Sequence, residues 1–204
     1  MSFSRILRPR YKSRWRQLAR RCKRWAMTRL TRTIALVGMM GAGKSSVGRR
    51  LAVRLDVPFR DADAEIEAAA GCSISEIFEH YGEAAFRDGE RKVIGRLLQE
   101  PPHVLATGGG AFIDPQTRAH MKEKAVSVWI RAPLEVLLSR VQRKDDRPLL
   151  NAGDPREILE RLLAERSPIY AEADISIDSE HGPHAEAVES IVDLLTKRGI
   201  WGNE

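Results

Sequence analysis

Five short apolar stretches lie between residues 34 and 177, and the segments between them carry the longer spacing of amphipathic helices. Ile34-Ala35-Leu36-Val37 comes first; an unbroken apolar run of this length suits a strand buried on both faces. Pro58-Phe59-Arg60 reads as a second strand ending at Asp61, and Val104-Leu105-Ala106-Thr107 as a third running into Gly108-Gly109-Gly110. Val126 to Ile130 and Ile175 to Ile177 complete the set. Helical patterns cover Ser45 to Leu55, Asp63 to Glu100 and Leu134 to Arg143, then a stretch from about Arg156 through Arg166, and finally His184 to Lys197. Ser73 and Glu76 have capping-box spacing ahead of Ile77-Phe78. Strands alternating with helices imply crossover connections and a parallel sheet covered on both faces. The expected fold class is α/β, with three layers around a five-stranded parallel sheet.

Composition fits that picture. Of 204 residues, 43% are hydrophobic and 30% charged, as in a globular domain rather than a disordered chain. No apolar run approaches the roughly 20 residues of a spanning helix. Charge divides the chain in two. The net +6 conceals a segment, residues 1–32, with twelve Lys and Arg and no acid, which leaves 22 basic against 28 acidic residues, or −6, in the remainder. We therefore divide the chain into a basic extension, residues 1–32, and a domain, residues 33–204. Cys22 and Cys72 form no CxxC and no metal-type spacing, so reduced thiols and no disulfide are expected. His80, His103, His120, His181 and His184 show no ligand spacing either and read as surface or loop residues.

The candidate chemistry begins at residues 38–45, GMMGAGKS, directly after the first strand and before the first helix. In G-x4-G-K-S, Gly38, Gly41 and Gly43 let backbone N–H groups converge on phosphate oxygens, and the helix start adds its positive end. Lys44 then bridges the β- and γ-phosphates, and the Ser45 hydroxyl serves Mg2+. The nucleotide contacts expected from the loop are Gly41, Ala42, Gly43, Lys44, Ser45 and Ser46. This makes the chain a P-loop protein that binds a nucleoside triphosphate, with use in a kinase reaction, in work or in switching all open. Ligands of open α/β sheets sit beyond the carboxyl ends of strands, where Asp61, Asp63 and the Gly108–Gly110 triplet would meet the loop. Phosphoryl transfer needs an acid near Mg2+, a carboxylate to orient the attacking hydroxyl, and cations around the transferred group. Asp61-Ala62-Asp63 offers both carboxylates.

From about Thr33 to Leu195 the sequence resembles the shikimate kinases, nucleoside-monophosphate-kinase-like P-loop enzymes. The resemblance is carried in order by GMMGAGKSSVG, DADAEIE, FRDGE, ATGGGA and DRPLL, followed by ERSPIY. It implies ATP-dependent phosphorylation of the 3-hydroxyl of shikimate, a step of aromatic amino acid biosynthesis, with Mg2+ as cofactor. It also implies a substrate-binding insertion around 62–97 and a lid around 143–155. Carried over, Asp63 takes the shikimate hydroxyls and is the candidate general base, while Asp61 contacts Mg2+ through water. Arg87 and Arg166 hold the shikimate carboxylate, and Gly109 contacts the same substrate through its backbone. Arg147 is the lid arginine at the γ-phosphate, Arg140 packs on adenine, and Glu90 orients Arg87. Two guanidinium forks suit a small carboxylate independently of any resemblance.

Plainer readings stand beside these. Asp61 and Asp63 are also good helix caps, Arg87 and Glu90 also make an ordinary i,i+3 pair, and Arg143 or Lys144 could take the role of Arg140. A kinase for another polyol acid such as gluconate is the rival enzyme. A nucleotide-dependent binding module is the rival of another class. The basic extension departs from the family pattern; Tyr11, Trp15, Leu18, Cys22 and Trp25 recur at helical intervals, compatible with an anionic membrane, RNA, organelle targeting or no role in catalysis. A cytoplasmic monomer with no obligate protein partner is expected.

Overall fold

A computed structural model describes residues 29–141, 154–179 and 184–202. Arg147, most of the expected lid, residues 1–28 with Cys22, and His181 lie outside the described residues. The elements in order are β1 (Arg29–Leu30), β2 (Thr33–Val37), α1 (Lys44–Leu55), β3 (Phe59–Asp61), α2 (Ala62–Ala70) and α3 (Ile74–Leu97). They continue with β4 (Val104–Ala106), α4 (Pro115–Lys124), β5 (Ala125–Arg131), α5 (Leu134–Val141), α6 (Pro155–Tyr170), β6 (Ile175–Asp178), α7 (His184–Lys197) and β7 (Trp201–Gly202).

The main sheet has five strands in the order β3-β4-β2-β5-β6, and every pairing is parallel. β2 is central, and all five of its residues are buried. That burial explains why Ile34 to Val37, all of β2 after Thr33, are continuously apolar rather than alternating. Right-handed crossovers require α1 on one face and α3, α4 and α6 on the other, with α7 returning to the first. The packing agrees, since α1 lies against α7, α3 against α4 and α5 against α6. The core runs through both layers and includes Ile34, Leu36, Leu51, Ile94, Leu105, Ile130, Leu159 and Ile191, each at most 1% exposed.

Helix starts follow local chemistry. Asp61, Ser73, Asp114 and Asp154 cap α2, α3, α4 and α6, each side chain accepting a backbone N–H. Ser73 and Glu76 form the expected capping box. The single helical pattern from 63 to 100 resolves into two helices, because Gly71 ends α2 in a left-handed conformation. α3 itself bends at Gly82, whose φ of 77° is non-helical.

Two features add to the expected picture. Arg29 and Leu30 pair antiparallel with Gly202 and Trp201 in a separate two-stranded sheet, so ordered pairing starts inside the segment assigned to the extension. This clasp precedes the N-terminal end of β2 and is anchored by Leu30, which is buried, and by the guanidinium of Arg54 over the Trp201 ring at 5.4 Å. His103 is a loop residue but not a surface one: it is 1% exposed, with Nδ1 2.9 Å from the Pro101 carbonyl and 3.5 Å from Thr33 Oγ1. The turn before β4 buries it beside the start of β2, where its carbonyl accepts from the Ile34 N–H at 2.9 Å.

Asp174 joins β5 to the turn before β6. Its Oδ2 accepts from the Ser127 N–H at 2.8 Å and from the Ser127 hydroxyl at 2.7 Å. Ser127 is buried, so Asp174→Ala should cost about 1–3 kcal/mol of stability by leaving buried donors without their acceptor. Urea denaturation checks this, and an unchanged midpoint would mean that water replaces the carboxylate.

Candidate active site

The carboxyl ends of β2, β3 and β4 open into one cleft of about 760 Å3. Its walls come from the loop after β2, the starts of α1 and α2, the acceptor-side residues of α3, the glycine triplet after β4, and α6. Met40, Gly41, Gly43, Lys44, Ser45 and Ser46 line one side, and Asp61, Asp63, Arg87, Glu90, Gly109 and Arg166 line the other. The sheet topology therefore brings together residues more than 100 positions apart.

The donor side is built for an anion. The N-cap of α1 is Gly43, which has φ 96° and no side chain to cap the helix, so no side chain covers the positive end of α1, the arrangement of an anion-binding helix start. Gly41, at φ 81°, is also left-handed, a conformation that a side chain would strain. Lys44 is 8% exposed, and its ammonium donates to the carbonyls of Gly38 at 2.8 Å and Met39 at 2.9 Å, which holds the charge inside the loop. Ala42 does not line the cleft; it is buried, and its N–H turns inward to the Met39 carbonyl at 3.2 Å. Arg140 reaches back from α5 to the carbonyls of Gly41 and Ala42 at 3.2 and 3.3 Å, at the rim of the cleft.

Asp61 serves two purposes. Its Oδ1 accepts from the Asp63 N–H at 3.2 Å and caps α2, while its Oδ2 accepts from the Ser45 hydroxyl at 2.8 Å. The capping reading is therefore correct but incomplete. Among the described residues no group of three or more His, Cys, Asp or Glu side chains could hold a metal. A Ser hydroxyl beside one carboxylate is a hard oxygen pair that fits Mg2+, which takes few protein ligands and completes its shell with phosphates and water.

On the acceptor side the glycine triplet allows close approach. A Cβ on Gly108 would stand 2.7 Å from Glu90 Oε1 and 3.0 Å from Asp63 Oδ1, and one on Gly110 would overlap the Arg87 guanidinium. Arg87 Nη1 donates to Glu90 Oε2 at 2.8 Å, and its other edge meets Glu83 Oε1 at 3.0 and 3.3 Å. Burial works against the Arg87 charge, but Glu90 and Glu83 outweigh it and hold the pKa above the usual arginine value. The Phe86 ring lies under the guanidinium at 5.0 Å, and with Phe78 it forms an apolar wall. Arg166 Nη1 lies 3.4 Å from the Gly109 carbonyl, which is also bonded by the Tyr170 hydroxyl. Tyr170 ends ERSPIY, yet its role is invisible in sequence because nothing there shows which carbonyl it meets. Burial pushes its hydroxyl up to about 12, so it remains a donor at physiological pH.

Similarity to known proteins follows the same residues. The shikimate kinase family model matches residues 40–196. A shikimate kinase from Caulobacter vibrioides is 62% identical over 164 residues, covering 80% of this chain and 82% of its own length. The chain belongs to the shikimate kinase family. A shikimate kinase from Paramagnetospirillum magneticum is likewise 62% identical over 169 residues, covering 82% of this chain and 87% of that one. Among solved structures, a shikimate kinase from Acinetobacter baumannii in complex with shikimate superposes with a TM-score of 0.80 at 39% identity, covering 82% of this chain and 94% of that one. A gluconokinase from Sinorhizobium meliloti, at 21% identity and TM-score 0.53 over 83% of this chain and 94% of its own, shares the fold alone.

Within this shikimate kinase-like site Glu90 is a deeply buried ionisable group. It is 2% exposed, and among the described residues its Oε1 has no hydrogen-bond partner. Burial raises its pKa; Arg87 opposes this, and Asp63 and Asp114 add to it. A carboxyl whose folded pKa is raised stabilises the fold fully below the ordinary glutamate range and loses that contribution as pH rises through the folded value. Glu90→Gln cannot ionise. The unfolding free energy of wild type minus that of Glu90→Gln should therefore fall from mildly acidic to neutral pH, as read by urea denaturation. A flat difference would mean that Arg87 fully offsets the burial.

Proposed function

We propose that this chain transfers the γ-phosphoryl group of ATP to the 3-hydroxyl of shikimate, giving shikimate 3-phosphate and ADP, in the chorismate-forming route to aromatic amino acids. The observation that carries this reading is the convergence, in one cleft, of an uncapped P-loop helix with Asp63 and the Arg87, Arg166 and Gly109 cluster. Family membership supports it.

Asp63 accepts the proton of the 3-hydroxyl as that oxygen forms its bond to the γ-phosphorus. The bond to the β–γ bridging oxygen breaks, and ADP leaves with that electron pair. Lys44 and the α1 N–H groups stabilise the charge spread over the phosphoryl oxygens. Arg87 and Arg166 clamp the substrate carboxylate and so set the distance from the hydroxyl to phosphorus, which is the main contribution a kinase site makes. Ser45 and Asp61 would hold Mg2+, which when bound offsets phosphate charge. Arg147 completes the cation set from the lid at 143–155, which also excludes water. Arg140 is assigned to adenine because its guanidinium flanks the loop at the rim of the cleft. Dependence on ATP supports a cytoplasmic location, and one chain supplies every residue invoked, which supports a monomer.

A coupled ADP-release assay tests the reading. Shikimate should stimulate ADP release and gluconate should not; the reverse pattern would transfer the chain to another acceptor. Asp63→Asn should lower kcat by about 10²–10⁴-fold with ADP binding retained, and undiminished turnover would remove Asp63 as base.

Deletion of residues 1–28 should leave kcat/KM for both substrates within about twofold, a change worth about 0.4 kcal/mol. The clasp fastens the extension at the amino end of β2, whereas the cleft lies at the carboxyl end of the same strand. Lost turnover in a folded truncation would bring the extension into the mechanism.

A further inference from the structure

Tyr170 belongs to neither half of the reaction as derived above, yet it touches both. It follows Arg166 by four residues on α6, which places the two side chains on the same helix face one turn apart. Its ring is fully buried, with centroids 6.5 Å from Phe112 and 5.8 Å from Trp129. Its hydroxyl donates to the Gly109 carbonyl and lies 4.0 Å from Met39 Sδ, on the residue whose carbonyl receives Lys44. Arg166 Nη1 reaches that same Gly109 carbonyl only weakly, at 3.4 Å.

The sharing of this one oxygen has a consequence. A carbonyl has two lone pairs and accepts from both donors, so the Tyr170 hydroxyl fixes the oxygen on which Arg166 Nη1 rests while the guanidinium lines the cleft. Without the hydroxyl, the Gly109 peptide would lose its buried bond and Arg166 the fixed point that sets the direction of its fork.

We infer that Tyr170 is a positioning residue for acceptor binding: by fixing the Gly109 carbonyl on which Arg166 also rests, it keeps Arg166 directed at the acceptor carboxylate and holds the Gly109 peptide against the P-loop. The inference rests on the proposed shikimate kinase activity and deepens it. Tyr170 touches no reacting atom in this scheme and acts only through Gly109 and Arg166. It selects for an acceptor with a carboxylate, since an acceptor lacking that group gains nothing from a correctly aimed Arg166.

Tyr170→Phe removes one oxygen and keeps the packed ring. In the full-length protein its KM for shikimate, and the Kd for shikimate by calorimetry, should rise about tenfold, the scale of one hydrogen bond. ADP affinity should stay within about twofold, since the donor half keeps its bonds. In an Arg166→Ala background the same substitution should have almost no further effect, because residues acting through one contact are not additive. Phe112→Leu is the packing control: it should lower Tm without changing the ratio of shikimate to ADP affinity. The inference is overturned if Tyr170→Phe leaves shikimate affinity unchanged, weakens both ligands equally, or adds its full penalty to Arg166→Ala. A wild-type protein that neither binds nor phosphorylates shikimate would overturn this inference and the proposed activity together. An active wild type with an unaffected Tyr170→Phe would overturn this inference alone.

Discussion

The start of α1, which no side chain caps, is the constraint around which the site is arranged. Four other helices begin on a side chain that accepts their first N–H groups, whereas α1 begins on Gly43 and leaves its positive end open. A helix end of this kind is costly unless an anion completes it. Placing it at the carboxyl end of β2, the central and fully buried strand, fixes it against the most rigid part of the molecule. The neighbouring β3 and β4 then deliver Asp61, Asp63 and the glycine triplet to the same edge.

Charged groups in the cleft are held in fixed partnerships by hydrogen bonds. Asp61 is committed to Ser45 and the α2 start, and Glu90 to Arg87. Asp63 lines the same cleft, with its N–H bonded to Asp61. Burial of Glu90 is tolerated because it aims Arg87 over the Phe86 ring. A buried charged pair of this sort adds little net stability but restricts the guanidinium to one orientation, which is what binding a planar carboxylate requires.

The backbone of the triplet ties the two halves together. Gly109 lies close enough to Met40 that a Cβ there would stand 3.2 Å from its nitrogen, and its carbonyl is held from the far side by α6. Donor loop, acceptor loop and the helix that carries Arg166 thus share one small contact region. A shift in any of them is felt by the others, because close-packed interiors transmit displacement rather than absorb it.

Much of this was legible in the chain. The strand patterns and the helices between them named five strands and their parallel arrangement, since a strand buried on both faces is largely apolar, as Ile34 to Val37 of β2 are. GMMGAGKS named the anion site, because only that spacing gives glycine its turns and lysine its reach. The capping box at Ser73 was equally local. What no pattern along the sequence could reveal was contact between distant segments: the Ser45–Asp61 bond, the Glu90 oxygen left without a partner among the described residues, His103 buried beside the start of β2, the clasp between Leu30 and Trp201, and the Tyr170 hydroxyl on Gly109. Periodicity and spacing report forces that act within a turn or two of chain. Which carbonyl a buried hydroxyl meets 61 residues away is decided only when packing has closed the space around it.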